Sequence, residues 1–284
     1  MLARRLWEKF QSHSQFHRYP RSQPHLQHSI RRIVIESIEP PLTLTMPEQP
    51  HTIVLLEDTT VGAASSDNFG RSNNGDGIDL TTPLGAALPS WRNVFRSRLP
   101  EKHGFQFCYV SLSADTHGND DNNVASGLRE DVDELQNDLQ QFPSVVIIAK
   151  GPYVTSVAQY YLESHSVSGM VLVDPIQLPP TNDFLRWKEQ LQKHGQEDCM
   201  GKTISSTIAS KLLAIERPLL LEAGVVPMMV LQTPSSDGTV RHRYAEDVAA
   251  RHSDPMLGME VPIGRADTPE GSLDSIVEWI DEVL

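Results

Sequence analysis

Four stretches of this chain are apolar almost without interruption: "TIVLLE" at 52–57, "VVIIA" at 145–149, "GMVLV" at 169–173 and "VPMMVL" at 226–231. A strand with one wet face alternates apolar and polar residues, so runs like these require burial on both faces. A fifth strand, "FQFCYVSLS", is expected at 105–113. Amphipathic segments lie between them. In "PSWRNVFRSRL" Trp91, Val94, Phe95 and Leu99 share one side of a helix, and in "GLREDVDELQNDLQQF" Leu128, Val132, Leu135, Leu139 and Phe142 form a stripe. The closing "SLDSIVEWIDEVL" does the same with Leu273, Ile276, Val277, Ile280 and Val283 or Leu284. Buried strands alternating with such helices predict an α/β fold, a mostly parallel central sheet flanked by helices on both faces. "RRIVIES" and "PLTLTM" read as short strands ahead of this pattern, and "MLGMEVPI" at 256–263 as the last strand. Between them, residues 175–225 form a mainly helical insert, with "DFLRWKEQLQKH" and "TISSTIASKLLAIERPLLL" as its helices. The insert is expected to make a small cap over the carboxyl edge of the sheet, where α/β proteins bind ligands.

With 284 residues, 39% of them hydrophobic, the chain can bury a full core without staples. Its two cysteines, Cys108 and Cys199, are too few for a disulfide framework and lack metal-ligand spacing, which suits ordinary thiols in a reducing compartment. No metal or cofactor is expected. No transmembrane segment is expected either, because "VVIIA" stops at Lys150 and "PLLLEAGVVPMMVL" is broken by Glu222.

Charge divides the chain in two. Residues 1–35 carry seven Lys or Arg against the single acid Glu8, a net of +6, so the rest carries −19 of the total −13. In "MLARRLWEKFQSHSQFHRYPRS" Leu2, Leu6 and Phe10 make an apolar helical stripe with Arg4, Arg5 and Lys9 off it. Such an acid-poor, Arg-rich amphipathic start resembles a mitochondrial transit peptide. The expectation is a basic presequence over 1–35, a folded domain over 36–284 and a mitochondrial matrix location. The alternative is a cytoplasmic protein whose basic tail binds something acidic. The acidic body argues against a nucleic-acid partner, since phosphate binding needs clustered cations on the folded surface.

Residues 62–82, "GAASSDNFGRSNNGDGIDLTT", hold too little apolar surface to offset chain entropy and are expected to be a disordered loop. A calcium loop centred on Gly77 would need ligands at Ser72 and Pro83, which fails. "GQEDCMGKT" at 195–203 fails as a phosphate loop: five residues separate Gly195 from Gly201 where four are needed, and Glu197 and Asp198 would face the phosphates.

In order and spacing, "TIVLLED", "SWRNVF", "FCYVSLS", "LREDVDELQNDL", "VVIIAKGPYVTSVAQYYLE", "GMVLVDP", "VPMMVLQTPSSD" and the closing helix make residues from about 50 to 284 resemble an α/β-hydrolase-fold protein. That family carries a nucleophilic serine on a strained Gly-x-Ser-x-Gly elbow, followed along the chain by an acid and a histidine. The resemblance places the elbow at "AKGPY", with Gly151 or Pro152 at its apex. Neither has a hydroxyl. Gly151 is preferred, because the apex needs positive φ and proline is locked near −65°. Pro152 then suits the first helical turn. Tyr153 or Val154 replaces the elbow's second glycine. Thr155 and Ser156 read as helix residues bonding their own backbone.

The other parts of the family's machinery are altered as well. No histidine follows His252, and Arg265 stands where the base is expected. Arginine stays protonated and cannot serve as a base at neutral pH. His242 and His252 are expected on the surface of a helix. Asp237 matches the position of the acid but also suits a Ser-Ser-Asp-Gly turn, and Asp174 reads as a strand-end turn residue. Where the resemblance calls for oxyanion donors, the chain has Glu57 and Asp58, which would oppose a developing negative charge. The sequence thus leans towards a pseudoenzyme, a protein of this fold without hydrolase activity that acts as a binding or assembly subunit. Its expected partner is a protein or a multiprotein mitochondrial complex. Two alternatives stay open. One is an active esterase or lyase with a displaced site around Lys150, Tyr153 and Asp237. The other is a carrier or sensor holding a small apolar ligand.

Overall fold

A computed structural model describes residues 34–41, 49–58, 90–112, 127–176, 178, 183–194, 206–213, 215, 217–234 and 243–284. In chain order these contain β1 (Val34–Ile38), β2 (Thr52–Asp58), α1 (Trp91–His103), β3 (Gln106–Leu112), α2 (Gly127–Leu139), β4 (Val145–Lys150) and α3 (Pro152–Leu162). Then follow β5 (Gly169–Val173), α4 (Phe184–His194), α5 (Ser206–Leu213), β6 (Met228–Gln232), α6 (Arg243–His252), β7 (Ile263–Arg265) and α7 (Pro269–Val283). The strands form one seven-stranded sheet in the order β1-β3-β2-β4-β5-β6-β7, with β1 antiparallel and the rest parallel. It is an α/β-hydrolase-like architecture, with the apolar runs at its centre and helices on both faces. "PLTLTM", the loop 62–82, the presequence up to residue 33, Cys199, Asp237 and His242 lie outside the described residues.

Alternation along the central strands builds two cores. Ile53, Leu55, Val146, Ile148, Val171 and Val173 point to one face and pack against Trp91 and Phe95 of α1 and Leu273 and Ile276 of α7. Val54, Leu56, Ile147, Ala149 and Leu172 point to the other, against α2, α3, α5 and α6. Helix α3 is buried all round, from Tyr153 to Leu162, as a helix enclosed by other elements must be. From the insert, Phe184, Ala209 and Leu212 join this second core. Arg251 pins the insert's two ends, donating to the carbonyls of Leu178 and of Leu219, the latter at 2.8 Å.

A belt of side chains ties the amino edge of the sheet. His51 Nδ1 lies 2.6 Å from Ser144 Oγ, which lies 2.7 Å from Ser168 Oγ, linking the starts of β2, β4 and β5. Thr52 Oγ1 donates to Gln106 Oε1 at 2.9 Å, and Gln106 Nε2 to Ser37 Oγ at 3.3 Å, which carries the belt on to β3 and β1.

Three sequence expectations need correction. The last strand is Ile263–Arg265, because residues 254–259 turn back on themselves: Asp254 N donates to Met259 O at 2.8 Å and Met259 N to Asp254 O at 3.0 Å, with Gly258 at φ 68°. The second insert helix ends at Leu213, short of the predicted run to Leu221 that contains Pro218. His252 is buried instead of exposed, with its Nε2 3.2 Å from Gln159 Oε1. Ala245, Val248, Ala249 and His252 share one helical stripe, and the packing of that stripe on the sheet carries the imidazole inward.

Burial, and then the neighbouring Arg251 cation, push His252 down from 6.5 to about 4. The unfolded chain therefore binds a proton first as the medium is acidified. The stability contributed by the neutral imidazole is fully present above 6.5 and is lost as pH falls through 4, about 3 kcal/mol in all at 1.36 kcal/mol per pKa unit. Urea unfolding at pH 7.5 and pH 5 should differ by about 2 kcal/mol from this group, and H252Q should remove that part of the slope.

Candidate functional site

All the strands except β1 run the same way, so β2, β4, β5, β6 and β7 end at one edge, at Asp58, Lys150, Val173, Gln232 and Arg265. Between the end of β4 and the start of α3 the chain reverses at Gly151, with φ 103° and ψ 160°. That region is essentially reserved for glycine, because a Cβ would strain the backbone there. A hydrogen bond from Gly151 N to Val173 O at 3.0 Å holds the bend against β5. Pro152 opens the helix, where its missing N–H costs nothing. A methyl group placed on Gly151 would meet no described heavy atom within 4 Å. The bend is thus shaped by its backbone and not by crowding from the described residues.

The hydroxyls that follow are turned back onto the helix. Thr155 Oγ1 donates to Gly151 O at 2.9 Å and lies 3.0 Å from Pro152 O, and Ser156 Oγ donates to Pro152 O at 3.0 Å. Both residues are fully buried. They satisfy backbone carbonyls in the first turn and present no nucleophile at the apex.

Lys150 and Tyr153 diverge. Lys150 pairs with Glu57 at 3.0 Å, its partner in the β2–β4 register, and its Nζ sits 5.3 Å from the centroid of the Trp91 ring on the α1 face. Tyr153 is buried on the opposite face, where its hydroxyl donates to the Asp131 carboxylate of α2. The sheet separates the two side chains. Glu57 is therefore committed to an ion pair, and Asp58, one residue on, is buried on the α2–α3 side. Arg265 is exposed at the end of β7, and Ala266 N donates to Gln232 O at 2.7 Å.

Asp174 is a strand-end turn residue, as the sequence predicts, and its carboxylate has a specific partner. It follows β5 with φ 51°, the one positive-φ residue other than glycine among the described residues. Its carboxylate accepts from Thr233 N at 2.9 Å and from the Thr233 hydroxyl, clasping the ends of β5 and β6. Aspartate tolerates this conformation because its short side chain bonds locally. The clue was "VDP" after one apolar run and "QTP" after the next, two strand ends with complementary donors and acceptor.

Together these features define an α/β-hydrolase-like strand-turn-helix whose apex is glycine, braced by Val173 and by the Asp174–Thr233 clasp. Solved structures similar to the chain include an esterase from Thermogutta terrifontis with malate bound, at 15% identity over 88% of this chain and 93% of that one, with a TM-score of 0.48. Others are a putative non-heme bromoperoxidase from Mycobacterium tuberculosis (12%, 92% and 100%, TM-score 0.49) and MenH from S. aureus (12%, 87% and 98%, TM-score 0.46). No protein-family model matches the chain, and no curated protein sequence matches it.

Two substitutions test this geometry by chemical denaturation. Gly151→Ala should cost about 1–3 kcal/mol from backbone strain, since no described residue crowds the new methyl group. Asp174→Ala should cost about 2–3 kcal/mol through the loss of two hydrogen bonds to a charged acceptor.

Proposed function

We propose that this chain is an α/β-hydrolase-like protein that performs no hydrolysis and serves as a binding or assembly subunit in the mitochondrial matrix, delivered there by its basic leader. The observation that carries the non-hydrolytic part is Gly151 at the apex in a conformation reserved for glycine. The turn's position is kept while the group that would attack a carbonyl is missing. The commitment of Thr155 and Ser156 to backbone carbonyls, and the pairing of Glu57 with Lys150 at the same edge, support the same reading. A displaced active site built on Lys150 and Tyr153 draws little support from two side chains facing opposite sides of the sheet. The matrix location rests on the leader's composition, seven basic residues against one acid over 1–35.

A second reading is a carrier or sensor for a small apolar ligand, and it draws on one observation, that no described heavy atom lies within 4 Å of where a Cβ on Gly151 would stand. A ligand at about 100 times its dissociation constant, binding only the folded state, would stabilise the chain by roughly 2.7 kcal/mol. A melting screen across fatty acids and acyl-CoA analogues with no shift would remove it.

The test of the main reading is turnover of p-nitrophenyl acetate and butyrate by the purified full chain. The expected rate equals that of a heat-denatured control, and G151S should not raise it, because the base and the donors for an oxyanion are not supplied by restoring a hydroxyl. Saturable turnover by the native chain would refute the proposal. Import is tested separately: the full chain should be taken up and shortened by energised mitochondria, and replacing Arg4, Arg5 and Lys9 with Ala should abolish uptake.

A further inference from the structure

The turn at 254–259 is firmly built and displays apolar side chains to water. Asp254 Oδ1 accepts from Met256 N at 2.9 Å and from Leu257 N at 3.2 Å, adding to the paired backbone bonds between Asp254 and Met259. Nothing in this bonding needs large apolar residues at the tip, yet Met256 is 96% exposed and Leu257 57%. The turn at Gly224 packs beside it, since a Cβ on Gly224 would lie 3.2 Å from Asp254 Cβ and 3.6 Å from Leu257 Cδ1. Val225, also exposed, extends the apolar surface. Asp254 belongs to this turn, and the exposed Glu260 and Glu222 lie within two residues of the two turns along the chain, so acidic residues flank the apolar surface. The nearby Arg251 is spent on the carbonyls of Leu178 and Leu219, and His252 is buried and held neutral, so neither of these two groups offsets the flanking acids.

We propose that this acid-flanked apolar turn docks the chain's own amino-terminal segment, residues 2–10. Leu2, Leu6 and Phe10 supply an apolar stripe, and Arg4, Arg5 and Lys9 supply three cations for the three carboxylates. The match is one of opposite charge and of apolar character together. The tether is long enough: 23 residues separate Phe10 from Val34, a reach of up to roughly 80 Å at 3.3–3.6 Å per residue. Crossing the sheet from β1 to β7 takes about 29 Å at 4.8 Å per strand. Held by that tether, the segment meets the turn at an effective concentration far above that of a free peptide. The proposal concerns the full chain with its leader attached and does not rest on the reading of the elbow.

The test is limited trypsin digestion of the purified full chain at low salt and low protein concentration, with cleavage after Arg4, Arg5 and Lys9 followed by mass spectrometry. Arg18 and Arg21 lie outside the docked segment and serve as internal reference sites. Cleavage within 2–10 should be roughly ten-fold slower in the native chain than in Met256→Asp/Leu257→Asp, as for a contact worth one decade in the opening equilibrium. A second variant, Glu222→Lys/Glu260→Lys, should lose the same protection, and salt should weaken it. Equal cleavage in the native chain and both variants would overturn the proposal. So would protection that vanishes on dilution, which would assign the docked segment to a second copy.

Discussion

The hydrogen bond from Gly151 N to Val173 O holds the point on which the rest of the arrangement depends. It fixes the place where β4 leaves the sheet and α3 begins, and α3 is the helix enclosed on every side. An enclosed helix has no wet face to absorb an error in direction, so its starting angle has to be set by the backbone. Positive φ at Gly151 sets it, Pro152 restrains the first turn, and Thr155 and Ser156 satisfy the carbonyls of that turn from within. In an active hydrolase of this architecture, the strain of such a bend serves to expose a nucleophile. Here the bend is made by a glycine, which takes that conformation without strain and carries no side chain.

The surroundings of the bend follow the same division between support and chemistry. Lys150 and Glu57 neutralise each other at the ends of two adjacent strands, and the Trp91 ring covers the ammonium. Asp174 uses its carboxylate to close β5 onto β6. Tyr153 and Asp131 join α3 to α2 across the buried face. Lys150, Glu57, Asp174 and Tyr153 are each engaged in holding one element to another.

Much of the fold was legible because burial on both faces leaves a plain mark: "VVIIA" and "GMVLV" have no polar residue to spare, and only a covered sheet accepts them. Gly151 was also legible, through the contrast between glycine and proline at a position requiring positive φ. His252 is different: polar character and family position predict a surface place, whereas the spacing from Ala245 through Val248 and Ala249 puts it on the inner stripe. The last strand was misplaced because "MLGMEVPI" is apolar, and apolar character does not distinguish a strand from a turn that exposes its methionine and leucine. The Asp174–Thr233 clasp joins residues 59 apart, a pairing that becomes visible only once the strand order is known. The divergence of Lys150 and Tyr153 likewise depends on the bend, since inside a single helix residues three apart would share a face.

The central claim, that the bend survives without a nucleophile, is tested most directly by covalent labelling. The purified full chain, incubated with a fluorophosphonate at pH 8 and examined by intact mass and peptide mapping, should remain unmodified while a serine esterase in the same tube is fully labelled. A stoichiometric adduct on any serine of the native chain, absent after denaturation, would contradict it.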